Sequence, residues 1–262
     1  MCYNFSMTKK FLVIILTFFL IFINSAVEAA QSYTKKDLSV NAVDGFNLRA
    51  TLTYPKVKGQ QEFKTVVLLH SLGYNSQWWA TLPDELLSRG YAVLAIDLRG
   101  HGKSVYNARL AKTSWKNLKN SGYAKYPEDI LSIINSIVTE NPKRVFFNNW
   151  AIVGADIGAA SGIIAADKFP IDPKTIVMIS PIVKSKSLYV PVSIAHLDAT
   201  DFLAISGTDD NESKIVSKYL SKFAQAEYLD FTSESKSTGM LILKNDEGLA
   251  KMISEWIFEY LN

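Results

Sequence analysis

The chain has 262 residues, 48% hydrophobic and 20% charged, with a formal net charge of +3. This apolar content excludes an intrinsically disordered chain, and 28 basic residues against 25 acidic ones exclude a nucleic-acid binder that works through charge. A single cysteine, Cys2, excludes a disulfide framework and a cysteine zinc site, and no metal or other cofactor is expected.

In chain order, the first expected element is a secretory signal. Lys9 and Lys10 precede a run from Phe11 to Ile23 that is apolar except for Thr17, and small residues follow in Asn24–Ala30. Cleavage is expected after Ala29, which makes 1–29 a signal peptide and 30–262 the mature domain. The apolar run falls short of the ~20 residues that span hydrocarbon, so no membrane span is expected after cleavage. An uncleaved anchor is the alternative. The expected location is the periplasm or the exterior, and the mature chain carries no cysteine.

From Gln31 onward strands alternate with helices. Phe46–Thr53 alternates apolar and polar residues after the turn at Asp44-Gly45, as an antiparallel edge strand does. Thr65–Leu69 and Tyr91–Ile96 are short apolar runs of the kind buried on both faces of a sheet. A helix is expected over Trp78–Arg89, stopping at Gly90. Another follows Pro127 over Glu128–Thr139, with Ile130, Ile133, Ile134 and Ile137 at helical spacing. Ala151–Val153 reads as a strand, Ile157–Lys168 as a helix, Thr175–Ile179 and Phe202–Ile205 as strands, and Asp246–Tyr260 as an amphipathic helix. This order predicts an α/β fold with a mostly parallel central sheet covered by helices on both faces. No repeat, low-complexity stretch or linker divides it.

Three motifs sit at strand ends. They are Leu69-His70-Ser71-Leu72-Gly73, then Asp97-Leu98-Arg99-Gly100-His101-Gly102-Lys103-Ser104, then Val153-Gly154-Ala155-Asp156-Ile157-Gly158-Ala159-Ala160. In this order and spacing they resemble the α/β-hydrolase fold family over essentially the whole mature chain. The resemblance implies a nucleophile elbow centred on Asp156, and an oxyanion hole formed by Ser71, Leu72 and Ile157. It also implies an acid at Asp210, in Gly207-Thr208-Asp209-Asp210, although a polar turn residue explains Asp210 as well. Most members carry Ser at the elbow. Asp has precedent in dehalogenase-like and epoxide-hydrolase-like members, which form an ester with the carboxylate. A carboxylate capping a helix N-terminus is the alternative for Asp156.

Either nucleophile needs a general base. The family's His stands in the loop before the C-terminal helix, where this chain has Thr238-Gly239. The three histidines fall elsewhere: His70 in the oxyanion loop, His101 in a structural turn, and His196 toward the N-terminal edge of the sheet, whereas sites form at the C-terminal edge. About twenty residues separate Ile179 from Phe202, too few for the helical cap of the Asp-nucleophile enzymes, and Ile157 stands where dehalogenases hold halide with Trp. No cap domain is expected. Tyr74, Trp78, Trp79 and Trp115 read as core rather than as a ligand cleft.

The expected function is therefore an exported, catalytically degenerate α/β-hydrolase-like protein that binds a small ligand or a cell-envelope partner. Asp156 and Asp210 are the remnants of its triad, and Thr238 replaces the base. The alternative is an active hydrolase of small esters, amides or halides that uses Asp156 with an unconventional base. A metal site on Asp156 and Asp210 is disfavoured, since no His is expected beside them.

Overall fold

Thr65–Leu69 shows why the chain folds as it does. Every residue of this strand is buried: Val67 and Leu69 face one apolar cluster, and Val66 and Leu68 face another. Such a strand requires helices on both sides. The computed structural model describes residues 32–262, and the signal-peptide reading of 1–29 lies outside the described residues.

Tyr33–Asn262 forms one compact unit. Its main sheet has eight strands: β1 (Tyr33–Asn41), β2 (Asn47–Pro55), β3 (Thr65–Leu69), β4 (Ala92–Asp97), β5 (Trp150–Ala155), β6 (Thr175–Ile179), β7 (Asp201–Ser206) and β8 (Tyr228–Thr232). The spatial order is β1-β2-β4-β3-β5-β6-β7-β8. β1 and β2 pair antiparallel, as do β2 and β4, and the other pairings are parallel.

The helices are α1 (Leu82–Ser88), α2 (Asn120–Tyr123), α3 (Tyr126–Glu140), α4 (Ile157–Ala166), α5 (Pro191–His196), α6 (Asn211–Leu220), α7 (Met240–Asn245) and α8 (Leu249–Leu261). α3 and α4 cover one face of the sheet through Ile130, Ile133, Ile134, Ile137 and Ile163. α1 and α8 cover the other through Leu82, Leu86, Ile253 and Ile257. Between β6 and β7 stand only a two-residue strand pair (Lys184–Ser185 with Leu188–Tyr189) and the six-residue α5, which is no cap domain. Among the described residues no helix is long and apolar enough to cross a membrane.

The expected architecture is the observed one, with differences in detail. The strand read over Phe46–Thr53 is not an edge. β1 covers it, and β1 escaped the sequence pattern because Leu38 is its only buried residue. α1 begins at Leu82 rather than Trp78, because Ala80 takes a positive φ of 48° and Pro83 suits a helix start. The C-terminal helix begins at Leu249. The preceding apolar residues form α7, which ends before the extended Asp246.

Candidate functional site

The site is built where β5 turns into α4. Asp156 takes φ 51° and ψ −120°, a conformation an L-residue adopts only under constraint. The constraint is packing. A Cβ on Gly154 would stand 2.4 Å from Ala159 Cα, and one on Gly158 would stand 2.1 Å from the Leu69 carbonyl oxygen. The Asp156 N–H donates to the Ile179 carbonyl at 2.9 Å, which ties the elbow to β6.

The Asp156 side chain makes no N-cap hydrogen bond deeper into the first turn of α4, and its contact with that helix is with the N–H of Ile157. Burial pushes its carboxyl above the usual range. The backbone N–H groups of Ile157 and Leu72 pull the other way, and the negative charge of Asp210 adds to the rise. Leu72 and Ile157 are thus brought together around the elbow side chain. Ser71 joins them differently: its hydroxyl is buried without a hydrogen-bond partner.

Asp210 is buried at the N-cap of α6. Its Oδ1 accepts from the Ser213 N–H at 3.1 Å and its Oδ2 from the Ser180 hydroxyl at 2.7 Å. Ser180 follows β6 with a positive φ of 50°, and its hydroxyl accepts from the Gly239 N–H at 2.7 Å. Sequence reasoning missed Ser180. The available signal was its place directly after a buried strand, at the sheet's C-terminal edge.

Thr238 directly precedes Gly239, the N-cap of α7. Among the described residues its side chain is exposed and hydrogen-bonds neither Asp210 nor Asp156. The link from the last loop to Asp210 runs through the backbone of Gly239 and the Ser180 hydroxyl instead. No larger side chain fits at 239, because a Cβ there would meet Ser71 Oγ at 2.8 Å and the residue holds φ 57°.

The histidines are committed elsewhere. His70 Nε2 accepts from the Leu98 N–H at 3.0 Å, and its Nδ1 lies 2.8 Å from the Ser71 carbonyl. A carbonyl only accepts, so the proton is on Nδ1 and the ring is neutral. His101 repeats the arrangement: Nε2 accepts from the Gly73 N–H at 3.0 Å, and Nδ1 faces the Arg99 carbonyl at 3.2 Å. Burial lowers both rings from 6.5 to about 4. Both pin the loop after β3 to the loop after β4. His196 is exposed at the end of α5 and meets Asp167 at 3.0 Å, beyond the far end of α4.

Of the four aromatic residues read as core, only Trp79 is buried. Trp78 is exposed and packs edge-on against the half-buried Tyr74 at 5.0 Å. Trp115 is half-buried and stacks on His101 at 5.6 Å. Among the described residues no group of three His, Cys, Asp or Glu side chains could hold a metal ion.

A family model described as Hydrolase_4, serine aminopeptidase S33, matches residues 60–241. The dienelactone hydrolase of Anabaena variabilis superposes with a TM-score of 0.66 at 16% identity, over 88% of this chain and 99% of that one. An esterase of Pyrococcus furiosus gives 0.64 at 16% identity, over 88% and 92%. A structure from a study of two fungal esterases of Rhizomucor miehei gives 0.62 at 12% identity, over 88% and 85%. These likenesses show the fold. No curated protein sequence matches the chain at a significant level.

Proposed function

The chain belongs to the Hydrolase_4 family (serine aminopeptidase, S33), and from that premise we propose that it is an exported member that binds a small ligand or an envelope partner without hydrolysing it. The observation that carries this reading is the absence of a base at the elbow among the described residues. Both buried histidines spend both ring nitrogens on backbone groups, and the Ser180 hydroxyl takes the Asp210 oxygen that would orient an imidazole. A hydroxyl cannot accept a proton at neutral pH, so it cannot replace that imidazole. Asp156 itself is a poor nucleophile here. Burial favours its neutral form, and Leu72 and Ile157 present to it the N–H groups an oxyanion would need.

The test is turnover of p-nitrophenyl acetate and of an aminoacyl p-nitroanilide by wild type, Asp156→Ala and Asp156→Ser. All three should run at the same near-background rate, since base catalysis is worth ~10²–10⁴-fold and none is in place. A wild-type rate ten or more times that of Asp156→Ala would restore the hydrolase reading.

Export is supported by Lys9, Lys10 and the apolar run Phe11–Ile23. When the chain is expressed from its full coding sequence, intact-mass analysis of the exported protein should give a chain starting at Ala30. A cytosolic chain retaining its first residues would count against export.

A further inference from the structure

A cleft of about 570 Å³ opens between the β1–β2 ribbon and α1. None of its lining residues belongs to the elbow, the oxyanion loop or the Asp210–Ser180 pair. The register explains its polar wall. Lys35 pairs with Thr53, Asp37 with Thr51, and Arg49 with Asp97, so these side chains share one sheet face. α1 packs on β4 and leaves that face to the cleft.

The charges there are unevenly engaged. Asp97 accepts from the Ser76 and Lys103 N–H groups at 2.8 Å each, and Asp37 accepts from the Thr51 hydroxyl at 3.0 Å. Among the described residues the side-chain nitrogens of Lys35, Arg49 and Lys103 have no hydrogen bond or ion pair. A second observation is independent of charge. Trp79 lines the cleft at 1% exposure, and its Nε1–H is buried without a partner. An unpaired buried donor is uncommon in a folded protein.

We propose that this cleft binds a small organic anion. Arg49 and Lys103 hold its oxyanion head, a carboxylate or a phosphate. Its apolar body lies against Trp79 and Leu87, and an acceptor atom takes the Trp79 Nε1–H. The guanidinium supplies the fork that such a head group needs, and the volume suits a small molecule. Lys35 lies four residues along the ribbon from Arg49, roughly 13 Å at strand rise, and it bounds the far end. The site stands whether or not the elbow is silent.

Calorimetric titration of the full mature chain with phenyl phosphate, benzoate and neutral benzyl alcohol at low salt tests the site. Both anions should bind with Kd below about 1 mM, and benzyl alcohol at least about tenfold more weakly. The tighter anion identifies phosphate or carboxylate as the preferred head. Arg49→Gln and Lys103→Gln should each weaken anion binding about tenfold, and Trp79→Phe, which keeps the ring and removes the donor, several-fold. Asp156→Ala should change nothing. Lys103 is exposed, so its variant carries the test even if Arg49→Gln fails to fold. Three results overturn the proposal: no anion binding up to about 10 mM, anion binding undiminished in Lys103→Gln, or anion binding lost in Asp156→Ala.

Discussion

Arg99→Met is expected to destabilise the protein by about 3–5 kcal/mol, the range for breaking a buried ion pair by removing one partner. Arg99 is buried in the loop after β4. Its guanidinium bonds Asp129 of α3 at 2.7 and 2.6 Å and Asp44 of the β1–β2 turn at 2.7 and 3.0 Å, and it lies 4.3 Å from the Phe46 ring. It joins the β1–β2 turn, the loop after β4 and α3, alongside the Lys125–Asp44 ion pair and the Tyr126 hydroxyl that donates to the Arg99 carbonyl. Its two carboxylates titrate in opposite directions for a physical reason. Asp44 is half-exposed, and Arg99 and Lys125 hold it well below the usual range, whereas burial pushes Asp129 up despite the same cation. Without Arg99, Asp129 is a buried carboxyl with no hydrogen-bonded counterion. Thermal unfolding should show a drop on the order of 10 °C, at roughly 2–4 °C per kcal/mol for a domain of this size. Asp129→Leu added to Arg99→Met should recover much of the loss, because no uncompensated charge then remains. A single variant that melts within two degrees of wild type would show that the network contributes nothing to stability.

Acidification should destabilise the fold between pH 6.5 and 4, well above the range where most carboxylates titrate. His70 and His101 are held near 4 by burial, whereas in the unfolded chain they titrate at their ordinary 6.5. Over that window the unfolded state binds more protons, so stability falls as pH falls. The contribution is complete above 6.5 and exhausted below about 4. A shift of this size corresponds to about 3 kcal/mol for each ring, as an upper bound for two rings that repel each other's charge. Protonation would also turn each Nε2 from acceptor to donor and break its bond with the Leu98 or Gly73 N–H. Asp129 and Asp156 act in the opposite sense, because their raised carboxyls take up protons more readily when folded. Denaturant unfolding of His70→Asn and His101→Asn across the same pH range isolates the effect. Each variant should lose stability at neutral pH and show a flatter pH profile than wild type. A slope unchanged in both variants would assign the acid sensitivity to other groups.

The framework was legible in the sequence wherever the physical signal is local. Thr65–Leu69 and Thr175–Ile179 are the strands read from their apolar runs, since burial on both faces leaves no room for polar residues. The elbow was legible because Gly154 and Gly158 stand where no Cβ fits, and that steric demand is written in residue type. The count of histidines was enough to raise the question of a missing base. The answer required three dimensions. Only the tertiary structure shows that His70 and His101 are spent on backbone groups 28 residues distant, and that the hydroxyl on Asp210 comes from Ser180, 30 residues away. It also shows Thr238 exposed, with no hydrogen bond to Asp156 or Asp210 among the described residues. The cleft belongs to the same class, because Arg49, Lys103 and Trp79 meet only through strand register and the placing of α1. Residue type and spacing determine which elements form. Which side chains face one another across strand ends depends on contacts of long sequence separation, which no local pattern encodes.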